Sequence, residues 1–367
     1  MANTNREISE IKTEKTAYKL NKFMTSGGGL IASVLFITSV AWAVPLPSLP
    51  NSEASARLAE FDYVPFNGKT TPVETKEGPS CTRTKLTIEV KDPRTSAIKS
   101  VLLWYERPLT DHKVPAVLIV PTIEGVTALE PQTADNLCGA GMAGIIAEVN
   151  DPEFPTVFPS WAYEDQNDRF AIMALRTAID FVSQQPEIDA SKIGIIGLSL
   201  GGITTSMLAG VEPDRLKAIV SVVGGGNLPH ILSYSDHGRV STFRANRMKA
   251  AGYNTVDQYE NQLRSTVKLD PAYFAQFAKR ENIFMIMADN DTKVPSVAQT
   301  EQFESFGKPS GLVYSGGHVD TLIKVTYFDF AHVTEFLNAK FNGRSFDKFG
   351  FVGKDGKPHY VSDERRP

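Results

Sequence analysis

Three stretches of the chain hold side chains whose types and spacing could do nucleophilic chemistry on an acyl carbon. Residues 193–202 read IGIIGLSLGG, an apolar run that ends in a single hydroxyl, Ser199, fenced by glycines. Ninety and ninety-two residues beyond Ser199, ADNDTKVP places Asp289 and Asp291 after another apolar run. Twenty-seven residues beyond Asp291, YSGGH places His318 in a glycine-flanked loop. A serine hydroxyl is a poor nucleophile unless a base removes its proton during attack. Neutral imidazole does this near neutral pH, and a carboxylate on its far ring nitrogen fixes the tautomer and stabilises the imidazolium. The glycines fit the same reading. A strand turning sharply into a helix exposes the serine and leaves no room for side chains where the two nearly touch. Gly-x-Ser-x-Gly alone arises by accident often enough to decide nothing. Three independent strand ends delivering Ser, Asp and His decide more.

The six histidines stand at 112, 230, 237, 318, 332 and 359. Only His318 follows a strand pattern in a loop. His112 precedes a core strand, His332 lies in a helical pattern, His359 lies in the tail, and His230 and His237 lie in a segment without strands. An oxyanion formed during attack needs two donors. The backbone N–H of Leu200, just after Ser199, is one. The second is expected from PTIEGVTALE, after the 115–120 strand, with Ile123 N–H chosen and Thr122 as the alternative.

These loops need a scaffold that brings distant strand ends to one edge. TKLTIEV (84–90) and SVLLWYE (100–106) alternate as an antiparallel pair should, whereas PAVLIV (115–120), GIIAEV (144–149) and NIFMIMA (282–288) are continuous apolar runs suited to strands covered on both faces. Helical spacing at 131–143, 164–185, 296–306 and 320–341 separates them. The alternation predicts an α/β fold with a mostly parallel central sheet and helices on both faces. In such sheets ligands bind beyond the carboxyl ends of the strands. Residues 226–270 have helical spacing and no strand, and are expected to form a small helical cap insertion. Within and near it, Trp161, Tyr163 and the cap aromatics are candidates for lining an acyl pocket or for ordinary packing. The segment 44–80 is expected to be an irregular lead-in, 81–345 the catalytic domain, and 346–367 a polar tail.

The composition excludes several classes. With 367 residues, 42% hydrophobic, 22% charged and a net charge of −4, the chain suits an ordinary globular protein and shows no basic excess for nucleic acid. No metal-ligand spacing or phosphate-binding loop is visible, so neither metal nor cofactor is expected. Lysines 12, 15, 19 and 22 precede the apolar run LIASVLFITSVAWA, which ends in Ala-Trp-Ala at 41–43. Residues 1–43 therefore read as a signal peptide cleaved after Ala43, with an uncleaved anchor as the alternative and no stable membrane span after processing. Export would place Cys81 and Cys138 where disulfides persist, although spacing leaves their pairing open.

On GLSLGG, ADNDTKVP, GGH and the loop IEGVT, the chain from about 84 to 341 resembles the α/β-hydrolase superfamily, and within it the dienelactone-hydrolase-like serine esterases. Dienelactone hydrolases proper carry cysteine where this chain has Ser199, and their acidic residue in the oxyanion loop stands at a different offset from Glu124. The His-Gly of many esterases is replaced by Pro121-Thr122. In the superfamily pattern the acid lies three residues before a Val-Pro, which selects Asp291 and leaves Asp289 to cap its own turn. The resemblance implies a general carboxylic-ester hydrolase acting on a small-molecule acyl substrate through Ser199, Asp291 and His318. A peptidase or thioesterase on the same triad, and a non-catalytic binding protein of the same fold, are the alternatives.

Overall fold

Where a strand is buried on both faces, successive side chains enter two different cores. In the strand Val114–Val120, Ala116, Leu118 and Val120 join one apolar cluster while Val117 and Ile119 join another. That split runs through the whole centre of the protein. The computed structural model of the chain describes residues 45–149, 160–353 and 356–362. The expected signal peptide lies outside the described residues. No helix among those described is long and apolar enough to cross a membrane.

Eleven strands make one sheet among the described residues: β1 (Thr70–Glu77), β2 (Cys81–Lys91), β3 (Ile98–Pro108), β4 (Val114–Val120), β5 (Ala143–Ala147), β6 (Ile188–Leu198), β7 (Leu216–Val222), β8 (Ile283–Ala288), β9 (Ser310–Tyr314), β10 (Phe349–Val352) and β11 (Pro358–Tyr360). Their order across the sheet is β1-β2-β3-β5-β4-β6-β7-β8-β9-β10-β11. From β5 to β10 neighbours run parallel, and antiparallel strands finish both edges. The helices are α1 (Asn51–Leu58), α2 (Leu129–Gly139), α3 (Tyr163–Ser183), α4 (Leu200–Val211), α5 (Leu228–Tyr234), α6 (Gly238–Ala251), α7 (Val256–Thr266), α8 (Pro271–Phe274), α9 (Ser296–Ser305), α10 (His318–Tyr327) and α11 (Phe330–Phe341). Side chains of α3, α4, α8 and α9 join the first cluster, and those of α2, α10 and α11 join the second. The sheet is thus open, mostly parallel and covered on both faces.

The structure corrects two expected boundaries. Residues 44–80 are not irregular throughout, for they contain α1 and β1. Every residue of β1 is exposed, so the strand carries no apolar alternation to betray it. It exists because β2 offers an open edge, and Pro72 fits such an edge because it has no N–H to donate. Residues 346–367 are not merely a polar tail either. Phe346 and Phe349 are buried, and β10 pairs with β9 in parallel before β11 turns back on it. The expected helix 320–341 divides into α10 and α11 at Phe328-Asp329. Residues 228–266 form α5, α6 and α7 without a strand, gathered on a third apolar cluster that includes Ile123, Ile203 and Val294. Cys81 and Cys138 form a disulfide joining β2 to α2. Their sulfurs and Glu106 are the only trio of metal-ligating groups close together among the described residues, and the sulfurs are already bonded to each other.

Candidate active site

Ser199 sits between β6 and α4 with φ 57° and ψ −114°, a backbone conformation that L-residues adopt only under constraint. Its surroundings supply the constraint. A Cβ on Gly197 would lie 2.0 Å from the Gly201 carbonyl oxygen, and one on Gly201 would lie 2.1 Å from the Val120 oxygen. The helix therefore starts hard against the ends of β6 and β4, and the serine is the residue at the bend. Its side chain faces His318, whose Nε2 is 2.7 Å from Ser199 Oγ. His318 opens α10 just beyond β9, and its Nδ1 is 2.6 Å from Asp291 Oδ2. All three residues are buried.

The Asp291 carboxylate is held from four directions. Oδ1 accepts the backbone N–H of Lys293 at 2.8 Å and of Val294 at 3.0 Å, while Oδ2 accepts Gln299 Nε2–H at 2.7 Å as well as the imidazole. Gln299 is wholly buried on α9, and also donates to the Val294 carbonyl and accepts the Ala288 amide. The acid, its partner and the end of β8 are thereby locked together. Sequence reading missed Gln299, since nothing marks one glutamine on a helix as facing a carboxylate. Asp289 does something other than cap its own turn. Its Oδ1 accepts the N–H of Gly316 at 2.9 Å, tying the loop after β8 to the loop that carries His318. The turn-capping bonds belong to Asp291, because its lone pairs reach the amides two and three residues on.

The loop after β4 leaves one amide conspicuously placed. Thr122 N–H donates to Glu130 Oε1 at 3.2 Å, Glu124 N–H to Thr122 Oγ1 at 3.2 Å, and Gly125 N–H to the Thr122 carbonyl at 3.0 Å. The Ile123 amide has no such partner among the described residues, nor does that of Leu200 in the first turn of α4. Ile123, Ser199 and Leu200 line the same cavity. Thr122, the alternative donor, is already engaged. Glu130 was also missed, although Thr127-Ala-Leu-Glu130 has the spacing of a helix-capping box and Glu130 does accept the Thr127 amide and hydroxyl. Glu124 reaches the cap, pairing with Arg239 Nη2 at 2.7 Å and His237 Nε2 at 3.2 Å. Burial pushes the His237 imidazole below its ordinary pKa, against the pull of Glu124.

The cavity over Ser199 is small, about 60 Å³, and its walls are mainly apolar: Ile203, Leu228, Ile231, Leu232, Val240 and Val294. Trp161 lies elsewhere, packed with Tyr253 and Tyr259 at ring separations of 6.2 and 6.0 Å. Tyr163 packs on Phe243 and borders a neighbouring cavity.

An open, mostly parallel sheet with a strained serine at a strand-to-helix bend is the α/β-hydrolase fold. Residues 175–329 match the family described as BAAT / acyl-CoA thioester hydrolase C terminal. A probable 2-oxo-3-(5-oxofuran-2-ylidene)propanoate lactonase of Bradyrhizobium sp is 28% identical over 148 residues, which are 39% of this chain and 58% of that protein. The match thus spans little more than half of the lactonase. Among solved structures, the acetyl xylan esterase from Paenibacillus sp. R4 superposes with a TM-score of 0.62 at 16% identity, covering 82% of this chain and 97% of that one. Acetyl xylan esterase 1 from Thermoanaerobacterium sp. superposes at 0.58 and 16% identity, covering 80% and 95%.

Proposed function

We propose that the protein is an exported serine hydrolase that cleaves carboxylic esters of small acyl groups through an acyl-enzyme on Ser199. One observation carries the reading: the unbroken chain of contacts from Ser199 Oγ through His318 to Asp291, at 2.7 and 2.6 Å. Ser199 Oγ attacks the ester carbonyl carbon while its proton passes to His318 Nε2. The amides of Leu200 and Ile123 hold the oxyanion that results. As the tetrahedral species collapses, the carbon–alkoxy bond breaks and His318 returns the proton to the departing alcohol. Water then attacks the acyl group with His318 as base, and the acid leaves as Ser199 regains its proton. Asp291 holds His318 with Nδ1 protonated, so that Nε2 can accept.

The small apolar space beside Ser199 favours a short acyl chain, since pockets for larger ligands run to about 300 Å³ or more. The acetyl xylan esterases share the fold, and their named substrates have the shortest common acyl group. The thioester-hydrolase family match favours one further reading, a thioesterase on the same triad. Export is supported by the Lys-rich start, the Ala-Trp-Ala site and the disulfide. The test is a panel of p-nitrophenyl esters of rising acyl length, with acetyl-thiocholine in parallel, assayed on wild type and Ser199→Ala. Rates should fall with chain length, and Ser199→Ala should lose at least about a thousandfold. A variant that kept a tenth of wild-type turnover would remove Ser199 from its role.

A further inference from the structure

A second cavity, of about 350 Å³, adjoins the one over Ser199. Leu200, Leu228 and Leu232 line both, so the two spaces share a wall that includes the residue following Ser199. The far wall of the second, built from the start of β3, the two residues after β5 and the first turns of α3, mixes polar and apolar side chains.

The charged groups around it can be sorted by their partners. Glu164 is paired with the buried Arg247, and Glu148 accepts the Trp104 indole N–H at 2.7 Å. Behind the wall, Asp165 accepts the amides of Lys268 and Leu269, and Asp270 accepts those of Asn227 and Leu228. Lys99, a cation on the wall, is exposed and set over the Phe170 ring at 4.5 Å. Asp168 is different. It lines the cavity, is partly buried, and makes no hydrogen bond or ion pair with any described residue. Burial, and then the charges of Asp165, Glu164 and Asp270, push its carboxyl well above the usual range. Structural carboxylates in such places have partners, because an unpaired one is costly among like charges. A residue kept there for packing alone would be better as asparagine or leucine.

We propose that this second cavity receives the leaving alcohol and that Asp168 selects esters whose alcohol carries an ammonium group. The inference rests on the hydrolase reading given above, which puts the acyl group in the smaller apolar space and leaves the larger one for the alcohol. Sign and shape both favour a cation. The two carboxylates behind the wall take their hydrogen bonds from backbone amides; Lys268 and Arg57 offset part of the charge of Asp165, while Asp270 has amides alone. Tyr163 supplies an aromatic wall to which an ammonium is attracted, the Phe170 face being already covered by Lys99. A volume of about 350 Å³ suits a small amino alcohol.

The kinetic test compares acetylcholine with 3,3-dimethylbutyl acetate, which has nearly the same shape and no charge. Wild type should favour the choline ester by about tenfold or more in kcat/KM, the effect of one well-placed charge contact. Asp168→Asn should bring that ratio to within about twofold and leave kcat/KM for the neutral ester nearly unchanged. Equal rates in wild type, or a preference that survives Asp168→Asn, would overturn the proposal. The substitution is nearly isosteric and removes a carboxyl that has no partner, so its melting temperature should not fall. Calorimetric titration of choline into Ser199→Ala, and into Ser199→Ala/Asp168→Asn, separates the two readings. Binding that requires Asp168 in a protein that turns over neither ester keeps the subsite and removes the hydrolase reading. Turnover of the neutral ester with no preference and no choline binding does the reverse. Neither turnover nor binding removes both.

Discussion

Replacing Asp291 by asparagine should nearly abolish turnover, and the structure says why the substituted amide cannot simply take the carboxylate's place. Oδ1 faces two backbone donors, Lys293 N–H and Val294 N–H, so the oxygen of the substituted amide must stay on that side. The new NH2 then points at His318 Nδ1 and Gln299 Nε2, where the carboxylate accepted bonds of 2.6 and 2.7 Å. Toward the imidazole it can only donate, which leaves Nδ1 bare and moves the ring proton to Nε2, against the serine. The base is lost, and kcat should fall by roughly ten-thousandfold, or about 5 kcal/mol of barrier. Toward Gln299 it sets two donors face to face. Gln299 cannot flip to relieve this, because its oxygen accepts the Ala288 amide and its nitrogen donates to the Val294 carbonyl. A stability loss of about 1–3 kcal/mol should accompany the loss of rate. Asp289→Asn, by contrast, keeps an oxygen for the Gly316 amide at an exposed position, and its kcat should stay within about twofold of wild type. The assay is kcat on p-nitrophenyl acetate together with the urea midpoint for both variants. An Asp291→Asn enzyme within tenfold of wild type, or a comparable loss in Asp289→Asn, would refute the reasoning.

Three further outcomes follow from particular contacts. Gly201→Ala should fail to fold or lose several kcal/mol, since its Cβ would lie 2.1 Å from the Val120 oxygen, and a urea midpoint unchanged from wild type would contradict the packing described for the elbow. Asp270 is buried and raised to about 6, despite its amide partners, against ~3.9 unfolded. The native state thus holds this proton more tightly, so the group's contribution is present below about pH 4 and lost as pH rises through about 6. Asp270→Asn should therefore gain on wild type by up to ~3 kcal/mol between pH 4 and 7 in urea titrations, and a constant difference across that window would oppose it. Mature protein from the native host should begin at Val44, and an intact mass for the full 367 residues on a soluble protein would end the export reading.

That Ser199, Asp291 and His318 come together was legible because each sits at the end of an apolar strand in a short loop whose neighbours advertise it: glycines around Ser199 and His318, Val-Pro after Asp291. The sheet was legible for the same reason, since β4, β6 and β8 bury both faces and read as continuous apolar runs. What stayed hidden depends on partners distant in sequence. β1 has no buried residue and is made by the open edge of β2, and β10 is a four-residue strand made by β9. Gln299 and Asp289 owe their roles to where a helix and a neighbouring loop come to rest. The second cavity gathers residues from 99 to 232, and no local pattern could have announced that Asp168 would face it without a hydrogen-bond partner.

The central claim is a covalent intermediate on one side chain. Wild-type enzyme mixed with p-nitrophenyl acetate, quenched in acid within the first turnovers and digested, should yield a peptide carrying one acetyl group on Ser199. Ser199→Ala should yield none, and His318→Ala should accumulate little because no base drives the attack. Rapid release of p-nitrophenol with no acetylated peptide, or acetyl found on another residue while Ser199 stays free, would contradict the account.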